Sequence, residues 1–161
     1  MSIEIERKFL LHPVHDRSTL PSDSRTVDLE QIYLLVSEVE EKRIRRTSGA
    51  GVTTYAFAHL VPLGRGVRRV DEHVIDDVEY RRLSRLSDTS RHPVRKTRTC
   101  FSWGDLVVEL DHIARPATRE CWVAEVQVDH EEREVVLPDF LRVDREVTGE
   151  PAYSNANIAL G

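Results

Sequence analysis

The chain has 161 residues, of which 32% are charged and 40% hydrophobic, and its formal net charge is −5 at pH 7. This length and composition fit one folded domain, expected to span residues 1–161, and exclude a disordered or collagen-like chain. The acidic balance argues against general nucleic-acid binding. The basic residues are nonetheless mostly arginine, with lysine only at Lys8, Lys42 and Lys96. Arginine suits a local phosphate site. A bias in genomic base composition would explain the many arginines equally well.

No segment of the chain predicts membrane insertion or secretion. The longest uninterrupted apolar run is residues 32–36, whereas a membrane-spanning helix needs roughly 20 apolar residues. Residues 1–6 lack the basic and apolar regions of a signal peptide. Two cysteines, Cys100 and Cys121, are too few for a disulfide framework. We therefore expect a cytoplasmic protein without membrane association.

Alternating apolar residues and turn residues predict an antiparallel β-protein with few helices. The predicted strands cover residues 1–11, 28–36, 40–46, 53–60, 67–75, 94–103, 106–113 and 121–128. A clear amphipathic helix is predicted at 76–87, with Asp76 or Asp77 as its N-cap. Short helices are predicted after Pro138 and near 153–160. This pattern favours a sheet that curls toward a barrel.

Charged or polar residues recur at every second position of five predicted strands, and side chains two apart on a strand share one face. The rows are Glu4, Glu6 and Lys8; Arg43 and Arg45; Lys96 and Arg98; Glu109 and Asp111; Glu125 and Gln127. In an ordinary antiparallel sheet, such a face lies in water. If the sheet closes with this face inward, acids and bases must compensate each other, because an unpaired buried charge is costly. Periodicity alone leaves both arrangements open.

A lumen lined by both acids and bases can bind cations and phosphates together. Carboxylates bind hard divalent cations such as Mg²⁺ through oxygen, and arginine and lysine bind phosphate oxygens. Together they fit a metal–polyphosphate chelate and favour phosphoryl transfer by positioning and charge stabilisation.

These charged rows contain short motifs that resemble those of one family. Residues 4–8 read EIERK and match an N-terminal ExExK signature. The other motifs follow in the family's order: QIYL at 31–34, RIRR at 43–46, VRKTR at 94–98, ELD at 109–111, AEVQ at 124–127, and EVTG at 146–149 with YSN at 153–155. This ordered set resembles the CYTH domain superfamily, the triphosphate tunnel metalloenzymes, over nearly the whole chain.

The resemblance implies an α+β fold: an eight-stranded antiparallel β tunnel or barrel with peripheral helices, which binds a triphosphate with Mg²⁺ or Mn²⁺. The metal ligands that it implies are Glu4, Glu6, Glu125 and Asp111. The phosphate-binding residues that it implies are Lys8, Arg43, Arg45, Arg69, Lys96 and Arg98. The residues expected to carry catalysis are Glu4, Glu6, Lys8, Glu109 and Asp111. The implied reaction is attack of a metal-associated water on the terminal phosphorus.

Three positions depart from the family's pattern. The strand that reads TxK in the family has no lysine at 55–60, and His59 is the candidate replacement. The next strand fits two registers, one that turns Arg68 toward the site and one that turns Arg69 there. Gln127 replaces an acid, and an amide is a weaker metal ligand than a carboxylate.

The predicted function is metal-dependent hydrolysis of a triphosphate, with inorganic triphosphate as the best single substrate. Two alternatives stay open: a class IV-type adenylate cyclase, and a module that binds a nucleotide or polyphosphate without turnover. The missing lysine and Gln127 favour the binding module, whereas the intact acids Glu4 and Glu6 favour the enzyme. The expected partner is a small-molecule triphosphate, either inorganic triphosphate or a nucleotide, and we expect a monomer or homodimer.

Overall fold

All 161 residues are described by the computed structural model, and strands dominate it. The strands are β1 (Ser2–Leu11), β2 (Arg25–Val36), β3 (Glu41–Gly49), β4 (Val52–Gly64), β5 (Val67–Ile75), β6 (Val94–Trp103), β7 (Leu106–Arg115), β8 (Cys121–Gln127) and β9 (Val143–Glu146). The helices are α1 (Asp77–Ser84) and α2 (Asn155–Ile158), and 3-10 turns lie at Arg17–Thr19, Ala117–Arg119 and Pro151–Tyr153. Neither helix is long and apolar enough to cross a membrane.

The first eight strands close into an antiparallel barrel. The order in the sheet is β5-β4-β3-β2-β6-β7-β8-β1, and β5 pairs with β1 to complete the ring. Residues 2–5 of β1 pair with residues 67–70 of β5, whereas residues 9–11 of β1 pair with the additional strand β9. The predicted eight-stranded antiparallel tunnel with peripheral helices is confirmed, and β9 is an addition to it.

The charged face of the strands lies inside the barrel. Outside, the larger apolar cluster draws mainly on β1, β6, β7 and β8, and Leu137 and Phe140 pack against it. A second apolar cluster, which includes Tyr33, Val123 and Ile158, brings α2 against lumen-facing residues at one end of the barrel. The charged rows therefore face a common interior and not bulk water, which decides between the two arrangements that periodicity left open.

Local sequence explains the boundaries of several elements. Ala50 and Gly51 have positive φ angles of 49° and 76°, which suit the tight hairpin between β3 and β4. The Asp76 side chain accepts a hydrogen bond from the Glu79 N–H (2.8 Å) and caps α1. The helix predicted after Pro138 is absent. Only one turn forms there, and it buries Leu141 in the outer apolar cluster.

Candidate functional site

A cavity of about 630 Å³ occupies the lumen of the barrel. Its wall contains six basic side chains, those of Lys8, Arg43, Arg45, Arg68, Lys96 and Arg98. It also contains seven acidic side chains, those of Glu4, Glu6, Glu41, Glu72, Glu109, Glu125 and Glu150. When all of these groups are ionised, the lumen has no surplus of positive charge.

Strand β1 supplies two acids and one base to the cavity. Lys8 Nζ lies 3.3 Å from a carboxylate oxygen of Glu125 and 3.9 Å from one of Glu6, and it donates to the Tyr153 carbonyl (3.1 Å). Burial lowers the pKa of Lys8, but the charges of Glu125 and Glu6 outweigh burial, so the net shift is upward. Lys8 is therefore a stable cation between two carboxylates.

Gly66 allows the turn before β5 to approach this strand. Its φ is +69°, and a Cβ at this position would lie 2.5 Å from the Glu6 carbonyl oxygen. The Glu6 N–H donates to the Gly66 carbonyl (2.8 Å). Glycine satisfies both the positive φ and the close approach, and the contact fixes the backbone of Glu6 where the barrel closes.

Glu6 and Glu125 share Lys8 but differ in acidity. Burial raises the pKa of Glu125, yet the charges of the surrounding lysines and arginines hold it well below its ordinary value. Burial and the Glu125 charge raise the pKa of Glu6, and neighbouring cations only partly offset them. Glu125 is therefore a fixed negative charge, and Glu6 gains a proton more readily. Gln127 lines the cavity near them.

The register of β5 turns Arg68 inward. Arg68 faces Glu4 across the β1–β5 pair, and its Nε donates to Glu4 Oε2 (3.1 Å). A second nitrogen of Arg68 lies 3.5 Å from Glu6 Oε2. Arg69 lies on the outer face and is exposed, so its predicted place among the phosphate-binding residues is wrong. The pairing of β5 with both β1 and β4 sets this register, and a slip of one residue would exchange the two arginines.

Arg43 and Arg45 of β3 extend into the cavity with free hydrogen-bonding capacity. Arg43 Nη1 pairs with Glu41 (3.3 Å), and Arg45 Nη2 pairs with Glu72 (3.1 Å). The Nε atoms of both arginines are buried and have no hydrogen-bond partner. Because buried donors are rarely left unpaired, these two N–H groups are suited to an acceptor that enters the cavity.

Strand β4 contributes no charge to the lumen. Ala58 lies directly across from Arg43 in the β3–β4 pair. It belongs to a small apolar cluster of Ala58, Leu60 and Val70. His59 faces the other way, and its Nε2 lies 2.7 Å from Glu40 Oε2. His59 therefore does not replace the missing lysine.

A buried ion-pair network joins β6 and β7. Lys96 Nζ donates to Asp111 Oδ2 (2.7 Å), and Arg98 donates through Nε to Oδ1 (2.7 Å) and through Nη2 to Oδ2 (2.8 Å). Arg98 also pairs with Glu109, and it approaches Glu125 at 3.2 Å. Asp111 is fully buried and lies behind the cavity wall, which corrects its predicted position at the metal site.

The candidate metal ligands do not form a ready-made metal centre. No group of three or more His, Cys, Asp or Glu side chains is arranged to hold an ion. Glu4 and Glu6 bind Arg68 instead, while Glu6 and Glu125 share Lys8. Mg²⁺ usually binds one or two carboxylates together with substrate phosphates, not an all-protein cage. The donor set fits a cation that also takes phosphate oxygens.

Three acids of the cavity, Glu41, Glu72 and Glu150, are missing from the predicted site. Glu72 enters with the β5 register that also turns Arg68 inward. Glu41 lies two residues before Arg43 on β3, so the alternation of that strand already contained the signal. Glu150 lies in the turn after β9, and no periodicity of the sequence predicts where that turn packs.

Comparisons with known proteins place this barrel among solved structures. No family model and no curated protein matches the sequence. The inorganic triphosphatase NE1496 is 27% identical with a TM-score of 0.63, over 100% of this chain and 97% of that chain. HpAC1 from Hippeastrum, a proposed adenylyl cyclase with a dominant triphosphatase activity, is 20% identical with a TM-score of 0.58, over 83% and 82% of the two chains.

The chain has the tunnel fold of the CYTH superfamily. This confirms the resemblance carried by its motifs. PH1819 from Pyrococcus horikoshii OT3, at 20% identity and a TM-score of 0.60 over 80% of each chain, has the same fold. In this tunnel, the motifs that carry the resemblance supply most of the charges in the lumen.

Proposed function

We propose that this CYTH tunnel hydrolyses a triphosphate in a metal-dependent reaction, with inorganic triphosphate as its preferred substrate. The observation that carries the proposal is the mixed lumen: acidic and basic side chains surround one cavity, and two buried arginine N–H groups have no partner. NE1496, an inorganic triphosphatase that matches this chain from end to end, supports the same activity.

Phosphate binding begins with Arg43 and Arg45. Their Nε–H groups can donate to a phosphate oxygen without giving up a protein partner, because no protein group accepts a hydrogen bond from them. The other proposed phosphate-binding residues are Lys8, Arg68, Lys96 and Arg98, which line the same cavity. These four already contact carboxylates, so phosphate oxygens would compete with those carboxylates for their donors.

Glu4, Glu6 and Glu125 are the proposed ligands for Mg²⁺ or Mn²⁺. Such a cation would neutralise phosphate charge and lower the pKa of an attacking water. Because acids outnumber bases in the lumen, an accompanying cation should strengthen the binding of a highly charged anion that the arginines and lysines already hold. Glu109 lines the cavity next to Arg98, and burial raises its pKa. We assign Glu109 to the orientation of the attacking water.

A second candidate function is binding of a polyphosphate without turnover. Ala58 stands across from Arg43 on the strand that lacks the family's lysine, and Gln127 stands at the cavity where an acid is expected. Both changes leave a pocket for anions but reduce the charge available to stabilise a transition state.

The test is phosphate release from inorganic triphosphate with Mg²⁺ or Mn²⁺, and with a chelator in place of metal. ATP is assayed in parallel for both phosphate and cyclic nucleotide, which tests the adenylate cyclase alternative. We expect metal-dependent release that falls by about 100-fold or more in Glu6→Gln, because this change removes a proposed metal ligand. Glu79→Gln on the outer helix α1 is the control and should behave as wild type. Triphosphate binding without release would favour the binding module and overturn the enzyme.

A further inference from the structure

We infer that Asp111 positions the two cations Lys96 and Arg98 for phosphate binding and is not itself a metal ligand. The inference rests on the proposed binding of a triphosphate in the tunnel, but it does not require that the triphosphate be hydrolysed.

The surroundings of Asp111 leave no place for a metal ion. Both carboxylate oxygens accept hydrogen bonds from cations, one from Lys96 and two from Arg98. The side chain has no exposed surface, and it is absent from the lining of the cavity. A metal ion would have to displace both cations to reach these oxygens.

The two cations depend on this carboxylate for their placement. Asp111 is the only ion-pair partner of Lys96, whose side chain is 1% exposed. Lys96 and Arg98 lie two residues apart on one face of β6, so their positive charges repel each other. Asp111 lies between them and holds both donors in place while each side chain still lines the cavity. Burial lowers the pKa of Lys96, and the Asp111 charge opposes that loss of charge.

Glu109 provides a matched comparison on the same strand. It lies two residues before Asp111 on β7 and also pairs with Arg98, but it lines the cavity. Loss of the Glu109 charge would free one Arg98 donor and remove a negative charge from the cavity wall. Loss of the Asp111 charge would leave Lys96 and Arg98 without the group that orients them. The two substitutions should therefore change anion binding in opposite directions.

The experiment measures binding of inorganic triphosphate by calorimetry at low ionic strength with a chelator, so that neither metal nor turnover contributes. We expect Asp111→Asn to bind about tenfold more weakly than wild type, the loss of roughly one charge-assisted contact. We expect Glu109→Gln to bind several-fold more tightly than wild type. If Asp111→Asn binds as Glu109→Gln does, Asp111 is an ordinary lumen acid and the inference is overturned.

A second pair of variants covers the case in which Asp111→Asn does not fold. Lys96→Met is compared with the double variant Lys96→Met/Asp111→Asn. Because the lysine is already removed, loss of the Asp111 charge does not leave it buried without a partner. The double variant should bind triphosphate more weakly than Lys96→Met, because Arg98 has lost its support. Equal or tighter binding overturns the inference. Absence of binding in the wild type overturns both the inference and the proposed phosphate site, whereas binding without hydrolysis counts only against the proposed enzyme.

Discussion

Two sides of the lumen differ in how fully their charged groups are paired. The paired wall consists of Lys8, Lys96, Arg98 and Glu125, with Asp111 buried behind it, and each of these groups has an opposite charge within 3.3 Å. The open wall consists of Arg43, Arg45, Ala58, Leu60 and Val70. Each of its arginines pairs with a carboxylate through one Nη atom, but its buried Nε has no partner, and the other three side chains are apolar.

This difference separates stability from binding. On the paired wall, removal of one charge leaves its partner buried and uncompensated, which costs about 3–5 kcal/mol in buried pairs. On the open wall, the unpaired Nε groups are already a cost to the folded state, so their removal should weaken ligand binding and leave stability nearly unchanged.

Glu125→Gln on the paired wall should have the largest effect. We expect a loss of about 3 kcal/mol in the free energy of unfolding, because Lys8 and Arg98 lose their shared carboxylate. Metal-dependent phosphate release should fall below detection. Urea unfolding and a phosphate assay measure the two effects. Glu120→Gln is the control, because Glu120 is exposed and immediately precedes β8. Equal stabilities of the two variants would contradict the contrast.

The same site should control the loss of stability in acid. Because the folded-state pKa of Glu125 is held below its ordinary value, Glu125 stabilises the fold above the ordinary carboxyl pKa. That contribution is lost as the pH falls through the lower folded-state pKa. Glu125→Gln should therefore show a shallower loss of stability between pH 7 and pH 3 than wild type, in urea unfolding at each pH. An unchanged slope would mean that Glu125 is not the fixed charge described above.

Arg45→Met on the open wall should weaken binding without a comparable loss of stability. We expect triphosphate affinity to fall about tenfold, with a change of less than about 1 kcal/mol in the free energy of unfolding. Arg46→Met is the control, because Arg46 is the next residue along β3 and faces outward. If Arg45→Met destabilises the fold as strongly as Glu125→Gln, the distinction between the walls fails.

Ala58→Lys restores a cation to the open wall. The new charge would lie across from Arg43, so we expect several-fold tighter triphosphate binding that declines more steeply with salt. Ala58 is 3% exposed, so the added volume should cost about 1–3 kcal/mol of stability. Calorimetry at two salt concentrations measures the gain. Weaker binding at both would show that the apolar cluster, and not the missing charge, limits this side of the cavity.

Substitutions on the outer face should have the smallest effects. Arg69→Met and His59→Gln should change triphosphate affinity and phosphate release by less than about twofold, because both side chains point away from the cavity. Arg68→Met is the matched comparison and should weaken binding, since Arg68 lines the lumen. A loss of binding in Arg69→Met would argue for the other register of β5.

Much of the site was predictable because strand periodicity sorts residues by face. The rows of β1, β3, β6, β7 and β8 enter one lumen, as their motifs indicated. Periodicity did not predict whether Arg68 or Arg69 faces the lumen, because a shift of one residue in the pairing register exchanges them. The pairing of β5 with β1 and β4 sets that register and turns Arg68 inward. Asp111 shows a different limit, since its row was predicted to enter the lumen and yet its side chain is buried beneath Lys96 and Arg98.

Which residues share a face follows from the order of amino acids alone, because the alternation of a strand is a local property of the backbone. It also determined the order of the motifs, and through them the resemblance to a tunnel fold. That the charged face is the inner one follows only from the folded barrel, because closure depends on the pairing of β5 with β1, which are distant in the chain. The same closure decided which charges pair with each other and which remain free for a ligand.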